Sequence, residues 1–253
     1  MNTRKKIIEV LIQIRQLLRN TFHQYNDQLP FFITILIALL IVVGGINVFI
    51  DLTESIHSDV LVNYDSQVTE FVTSFRNPGL NIFMQGITEV GDLYGYIALT
   101  IICTVLFYLK FRNWRYVLEM VFVLAIAGLS NSALKQVINR ARPDVDHLVS
   151  VATLSYPSGH AMSAISFYGF LIYLIYNIKM KRIYKAGLIF LFSLMIFLIG
   201  MSRIYLGVHF PSDIAGGYIA GLIWIIFCIV LFHVIDLLRR RKKKKRMHEA
   251  EIS

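Results

Sequence analysis

The chain has 253 residues, of which 56% are hydrophobic and 16% charged, with a formal net charge of +9 and a mean hydropathy of +0.61. That composition leaves far too little polar surface to cover an ordinary water-soluble domain. The positive charge looks at first like a nucleic-acid footprint, but its placement along the chain follows membrane topology, and no nucleic-acid partner is expected.

Residues 4–20, RKKIIEVLIQIRQLLRN, alternate basic and aliphatic positions at helical spacing, which predicts an amphipathic helix on the cytoplasmic surface. Charges interrupt every hydrophobic stretch before residue 28, so residues 1–27 read as a cytoplasmic N-terminal segment rather than a cleavable signal. The runs 28–50, 93–109, 161–178, 186–202 and 214–235 hold no Asp, Glu, Lys or Arg, and 116–134 holds only Glu119. A crossing takes roughly 17–25 mostly apolar residues, so we expect an all-α bundle of six transmembrane helices over 28–238. A polybasic tail, 239–253, follows it.

Between the first two spans, YDSQVTEFVTSF and LNIFMQGITEV predict two short helices, with Arg76–Gly79 turning the chain between them. Cys103 and Cys228 both fall inside predicted spans, so neither anchors an extracellular disulfide. With both termini placed inside, 20 of the 25 basic residues are cytoplasmic and ten of the 16 acidic residues lie outside. The tail sequence RRRKKKKR, 239–246, would then sit against anionic inner-leaflet lipid. A multi-pass plasma-membrane protein is expected.

The outer segments keep only Arg76, Lys135, Arg140, Arg142 and Arg203, and four of these five belong to clusters. KQVINRARP, 135–143, gathers three cations on the side that the charge bias disfavours. It reads either as an anion site or as a stop-transfer and headgroup cluster. SYPSGH, 155–160, opens a span whose helix N-terminus presents free N–H groups, unless it is a plain helix start. SRIYLGVHFPSD, 202–213, sets His209 four residues before Asp213, so that the carboxylate can fix one imidazole nitrogen and free the other as nucleophile. Pairing of Asp213 with Arg203 is the structural alternative. The three segments converge on one face, where the inventory suits an oxyanion with more than one negative charge. Lys135, Arg142 and Arg203 would repel a dication, so no metal is expected among His160, His209 and Asp213.

These segments resemble the K-x6-R-P, P-S-G-H and S-R-x5-H-x3-D motifs of the type-2 phosphatidic acid phosphatase superfamily, in order and with intact spacing. The resemblance implies a metal-independent lipid phosphatase without cofactor, its site on the extracytoplasmic face. By the same resemblance Lys135, Arg142, Ser158, Gly159 and Arg203 would hold the phosphate. His209 would form a phosphohistidine, Asp213 would orient it, and His160 would protonate the leaving oxygen. The role of Arg140 stays open between headgroup contact and a second phosphate. Undecaprenyl pyrophosphate is the favoured substrate at this stage. Phosphatidylglycerol phosphate, phosphatidate and diacylglycerol pyrophosphate are the alternatives, and a lipid phosphotransferase or a non-catalytic lipid-phosphate binder are the competing classes.

Overall fold

The computed structural model describes residues 29–252 apart from 113 and 152. The amphipathic helix expected over 4–20 therefore lies outside the described residues. Every element among them is helical: α1 Leu29–Ser55, α2 Asp59–Thr73, α3 Pro78–Val90, α4 Leu93–Phe111, α5 Arg115–Ile138, α6 Gly159–Asn177, α7 Arg182–Tyr205 and α8 Pro211–Ile252. The chain divides within α1, after Ile41, and the compact unit from Val42 onward carries the packing and the site described below.

Five helices are long and apolar enough to cross a membrane, namely α1 and α5 to α8. A sixth crossing results if α3 and the Leu93–Leu109 part of α4, bent by 60° at their junction, act together. Leu129, Ile183 and Phe190 are among many large apolar side chains left exposed, as expected where the solvent is lipid. No break separates the last span from the basic tail. Helix α8 runs unbroken through residue 238 to Ile252, far longer than the roughly 20 residues a crossing needs.

Helices α2 and α3 are the two short helices anticipated between the first spans. Asn77 caps α3, its Oδ1 accepting from Leu80 N at 2.9 Å, and Pro78 occupies the first turn. The turn before it is clasped to the end of α7: Arg76 Nε donates to Tyr205 O at 3.0 Å, and Tyr205 Oη receives Asn77 N at 3.2 Å. A loop thus becomes a fixed wall beside the motif-bearing end of the bundle.

The centre of the bundle is α6, which packs on α5, α7 and α8 and buries Ala161, Met162, Ala164, Phe167, Phe170 and Leu171. Against α8 the approach is close, and the reason lies in Gly217-Tyr-Ile-Ala-Gly221. A Cβ on Gly217 would stand 2.6 Å from Ser158 O, and one on Gly221 would stand 2.4 Å from Ile165 Cγ2. Small residues four apart let two membrane helices approach backbone to backbone. Here they seat the N-terminus of α8 beside that of α6, so two of the three motifs meet.

Candidate active site

The chain reaches α6 through a cis Tyr156–Pro157 peptide bond. Ser158 is the N-cap, its hydroxyl accepting from Ala161 N at 3.4 Å, while Ser158 N donates to Asp213 O at 3.0 Å. The helix begins at Gly159. A Cβ at Gly159 would lie 2.9 Å from Asn131 Oδ1, and Asn131 Nδ2 donates to Pro157 O at 3.0 Å. Only glycine admits that close approach. His160 follows, with Nε2 2.7 Å from Asp92 Oδ1 at the start of α4.

The turn between α7 and α8 folds back on Arg203. Gly207 adopts φ +78°, which lets both Val208 N and His209 N donate to Arg203 O, at 3.1 and 3.3 Å. His209 is thereby buried to 1% exposure, with Nδ1 3.3 Å from both Asp213 Oδ2 and Ser155 Oγ. Asp213 Oδ2 also accepts from Ser155 Oγ at 2.5 Å and from Phe210 N at 2.8 Å. Its other oxygen, Oδ1, accepts from Arg140 Nη1 at 2.7 Å.

The cation paired with Asp213 is therefore Arg140, and the alternative Arg203–Asp213 pairing is replaced. Arg140 is 5% exposed and stacks at 4.5 Å on Phe210, so it serves neither headgroup contact nor a second phosphate. It donates to Asp65 Oδ2 at 2.8 Å and to Ser212 Oγ at 2.7 Å. Asp65 takes the Ser212 N–H at 3.0 Å as well, so the first turn of α8 faces this carboxylate and not an external anion. The burial of Asp65 under the bundle is what redirects that helix terminus.

Lys135, Arg142 and Arg203 converge instead with Gly159, His160 and His209 on a cavity of about 540 Å³, whose far wall comes from the end of α3. Loop carbonyls hold the first two cations. Lys135 Nζ donates to Leu154 O at 2.7 Å, and Arg142 donates to Thr153 O at 2.7 Å and Val208 O at 2.5 Å. Arg142 Nη1 stands 3.4 Å from His209 Nε2, on the ring edge opposite Asp213. Arg203 Nη1 donates to Thr88 Oγ1 at 2.6 Å, while its Nε is buried and has no partner among the described residues. A buried donor of this kind calls for an acceptor from outside. Ser158 is fully buried beneath the cavity rather than on its wall.

Burial, reinforced by Arg203 and Arg142 and opposed by Asp213, pulls the His209 imidazole down to about 3, so it is neutral at physiological pH. Burial also lowers Arg142, which as a guanidinium stays charged. A neutral ring with one nitrogen backed by a carboxylate and the other beside a cationic cavity can act as a nucleophile toward an anionic electrophile. Among the described residues no three His, Cys, Asp or Glu side chains gather as metal ligands.

An apolar groove of about 760 Å³ adjoins the cavity. The two share Asp92, Asn131, Gly159 and His160, and the groove continues along Tyr96, Ile97, Leu124 and Leu129 between α4, α5 and α6. A charged pocket opening into an apolar slot has the form to take an anionic headgroup still attached to its lipid. The chain belongs to the PAP2 superfamily, whose model matches residues 116–236. It is 32% identical over 176 residues to phosphatidylglycerophosphatase B of Bacillus subtilis, covering 69% of this chain and 86% of that protein. It is 25% identical over 181 residues to the lipid A 4'-phosphatase of Bacteroides thetaiotaomicron, with 64% and 74% covered. The crystal structure of a transmembrane PAP2-type phosphatidylglycerolphosphate phosphatase from Bacillus subtilis superposes with a TM-score of 0.71 at 29% identity, over 77% of this chain and 96% of the other. The protein is a membrane lipid phosphatase of the PAP2 type.

Sequence reasoning missed Asp65, Asp92, Thr88 and Ser155. Two signals pointed toward such partners. Arg140 was a fourth clustered cation without a role, and Asn131 was an amide inside a span, where unpaired polar groups are costly.

Proposed function

We propose that this enzyme hydrolyses the phosphomonoester of phosphatidylglycerol phosphate at the extracytoplasmic face of the plasma membrane, without a metal, through a phosphohistidine on His209. The observation that carries the reading is the position of His209, backed by Asp213 at Nδ1 and lining a cavity with Lys135, Arg142 and Arg203. His209 Nε2 attacks phosphorus as the P–O bond to glycerol breaks. The leaving oxygen takes a proton from His160. Water then attacks the phosphohistidine, giving its proton back to His160 and releasing phosphate and free His209. Lys135, Arg142 and the unpartnered Arg203 Nε neutralise the equatorial oxygens, a role that usually dominates phosphoryl transfer. The Gly159 amide, at the N-terminus of α6, completes the cradle.

The adjoining groove supports a substrate whose hydrocarbon stays in the membrane. The sequence expectation of undecaprenyl pyrophosphate finds no support among the relatives, whereas one of them is named for phosphatidylglycerophosphate. The charge asymmetry of the chain supports the extracytoplasmic placement and a cytoplasmic basic tail against anionic lipid.

The test is phosphate release in EDTA from matched micelles of phosphatidylglycerol phosphate, phosphatidate, diacylglycerol pyrophosphate and undecaprenyl pyrophosphate. The highest kcat/KM is expected for phosphatidylglycerol phosphate, with loss of all turnover in His209→Ala. A tenfold preference for either pyrophosphate would overturn the substrate, and an active His209→Ala would overturn the nucleophile. Accumulation of a phosphorylated acceptor with little free phosphate would make the enzyme a transferase.

A further inference from the structure

Asp65 presents a physical puzzle. It is a fully buried carboxylate on α2, outside all three motifs, and burying an ion costs several kcal/mol unless its partners compensate. Its partners are Arg140 and Ser212, through two hydrogen bonds from Ser212 and one from the guanidinium. Arg140 spends its fork on two carboxylates at once, Nη2 on Asp65 and Nη1 on Asp213. Without Asp65, Arg140 and Asp213 would form a neutral pair, and the charge of Asp213 would be spent before it reached the imidazole. With Asp65 the cluster holds two carboxylates and one guanidinium, a formal charge of −1. That charge lies directly behind His209 Nδ1.

We infer that Asp65 and Arg140 are positioning residues for the His209–Asp213 pair. Together they fix the Asp213 carboxylate and leave one uncompensated negative charge to stabilise the cationic imidazole of the phosphoenzyme. The inference rests on the proposed phosphohistidine chemistry. When Nε2 bonds to phosphorus the ring becomes a cation carrying its proton on Nδ1, and that proton keeps the ring a good leaving group in the hydrolytic step. The groups facing the ring are Asp213 and Ser155 at Nδ1, Arg142 at Nε2, and Arg203 and Lys135 across the cavity. The cations disfavour an imidazolium, so the net charge of the buried cluster decides how long the Nδ1 proton is kept. Arg140 stacking on Phe210 and the Asp65 bond to Ser212 N further restrain the residue before α8 and the first turn of α8 that carries Asp213. The helix α2 is by this account part of the catalytic frame and not a surface connection.

The experiment is the pH profile of kcat, from steady-state phosphate release by full-length protein in detergent. Asp65→Asn keeps the shape and removes the charge. Its kcat is expected to fall 10- to 100-fold with KM within threefold. The alkaline limb, set by loss of the Nδ1 proton from the phosphoenzyme, moves down by about 0.5–1 pH unit, because removing a nearby negative charge favours deprotonation of a cation. The double variant Asp65→Asn/Arg140→Gln restores a net −1, carried by Asp213 alone. Replacing a buried ion pair by neutral groups of similar size is often tolerated, so the double is expected to fold even where the single does not. Its alkaline limb returns to the wild-type position. A single variant with kcat within twofold of wild type and an unmoved limb overturns the inference. So does a double variant whose limb lies at lower pH than the wild type's. Loss of activity in proportion to loss of folded protein, with the limb in place, reduces Asp65 to a merely structural role and likewise overturns it. Turnover surviving in His209→Ala would instead break the phosphohistidine reading on which this one stands.

Discussion

Among the described residues one arginine lies between two carboxylates twice, once at each end of α5. At the motif-bearing end Arg140 lies between Asp65 and Asp213, with side-chain exposures of 6% and 0%. At the opposite end Arg115 bonds Glu119 at 2.6 Å and also Asp236, but those three side chains are 34%, 11% and 24% exposed. The stoichiometry is the same and the environment is not. In the first cluster water cannot stand in for a missing partner, and in the second it can. Counting ion pairs therefore says little here, and asking where each charge would go if its partner vanished says much more.

Arg140→Ala should accordingly have the largest effect on stability. It strands two buried carboxylates against each other, and breaking a buried pair in this way costs about 3–5 kcal/mol. Thermal unfolding in detergent, followed by helical circular dichroism, is expected to show a sharply lowered midpoint or no folded protein. A variant as stable as wild type would mean that water reaches the cluster.

A second contrast concerns glycines. Gly221→Ala drives a methyl to 2.4 Å from Ile165 Cγ2 and 2.7 Å from Met162 O, whereas a Cβ at Gly187 of α7 meets nothing within 4 Å. Overpacking of this sort costs about 1–3 kcal/mol. It should also lower kcat, because α8 carries Asp213 and α6 carries His160. Gly187→Ala in an exposed part of a helix should instead be neutral or stabilising by up to about 1 kcal/mol. Equal midpoints for the two variants would remove the close α6–α8 seat from the account.

The acid response reports on the motif-bearing end. His209 is neutral when folded, with its imidazole pulled to about 3, while an unfolded histidine titrates at about 6.5. Between those values the unfolded state binds the extra proton, so this group makes stability fall as pH drops from about 6.5 toward 3. His209→Gln should flatten that part of the stability curve without changing the region above pH 7. An unchanged acid slope in the variant would mean that the ring is already protonated in the folded protein.

Much of this architecture was legible before any coordinates. Charge-free runs announce spans because lipid tolerates nothing else, and the helices observed at 93–111, 159–177 and 182–205 lie where those runs do. Motif spacing likewise grouped residues that share a cavity, since Lys135, Arg142, Gly159, His160, Arg203 and His209 all line it. Ser158 was legible as a helix start, but the direction of its hydroxyl was not, because capping competes with any external ligand for the same oxygen. Asp65 and Asp92 were invisible for a different reason. Both lie between the first two spans, where composition permits many folds, and only tertiary packing decides which acid is buried under Arg140 and which meets His160. The role of Arg140 could not be read for the same cause, since its partner comes from a distant helix.

The smallest expected effect is at the Arg115 cluster, and it is the one that makes the comparison quantitative. Arg115→Gln leaves Glu119 and Asp236 partly exposed, free to recover hydration, and keeps a side chain able to donate to one of them. Pairs in such settings contribute about 0–1 kcal/mol, and salt screens them further. The variant should therefore unfold within a few degrees of wild type, and the small difference should shrink as salt is raised. Its kcat and KM should not move, because the cluster lies at the other end of the helices from His209. A loss approaching that of Arg140→Ala would show that partial exposure does not relieve a membrane-border ion cluster. Arg115 would then be holding α5 to α8 much as Arg140 holds α2 to the catalytic turn.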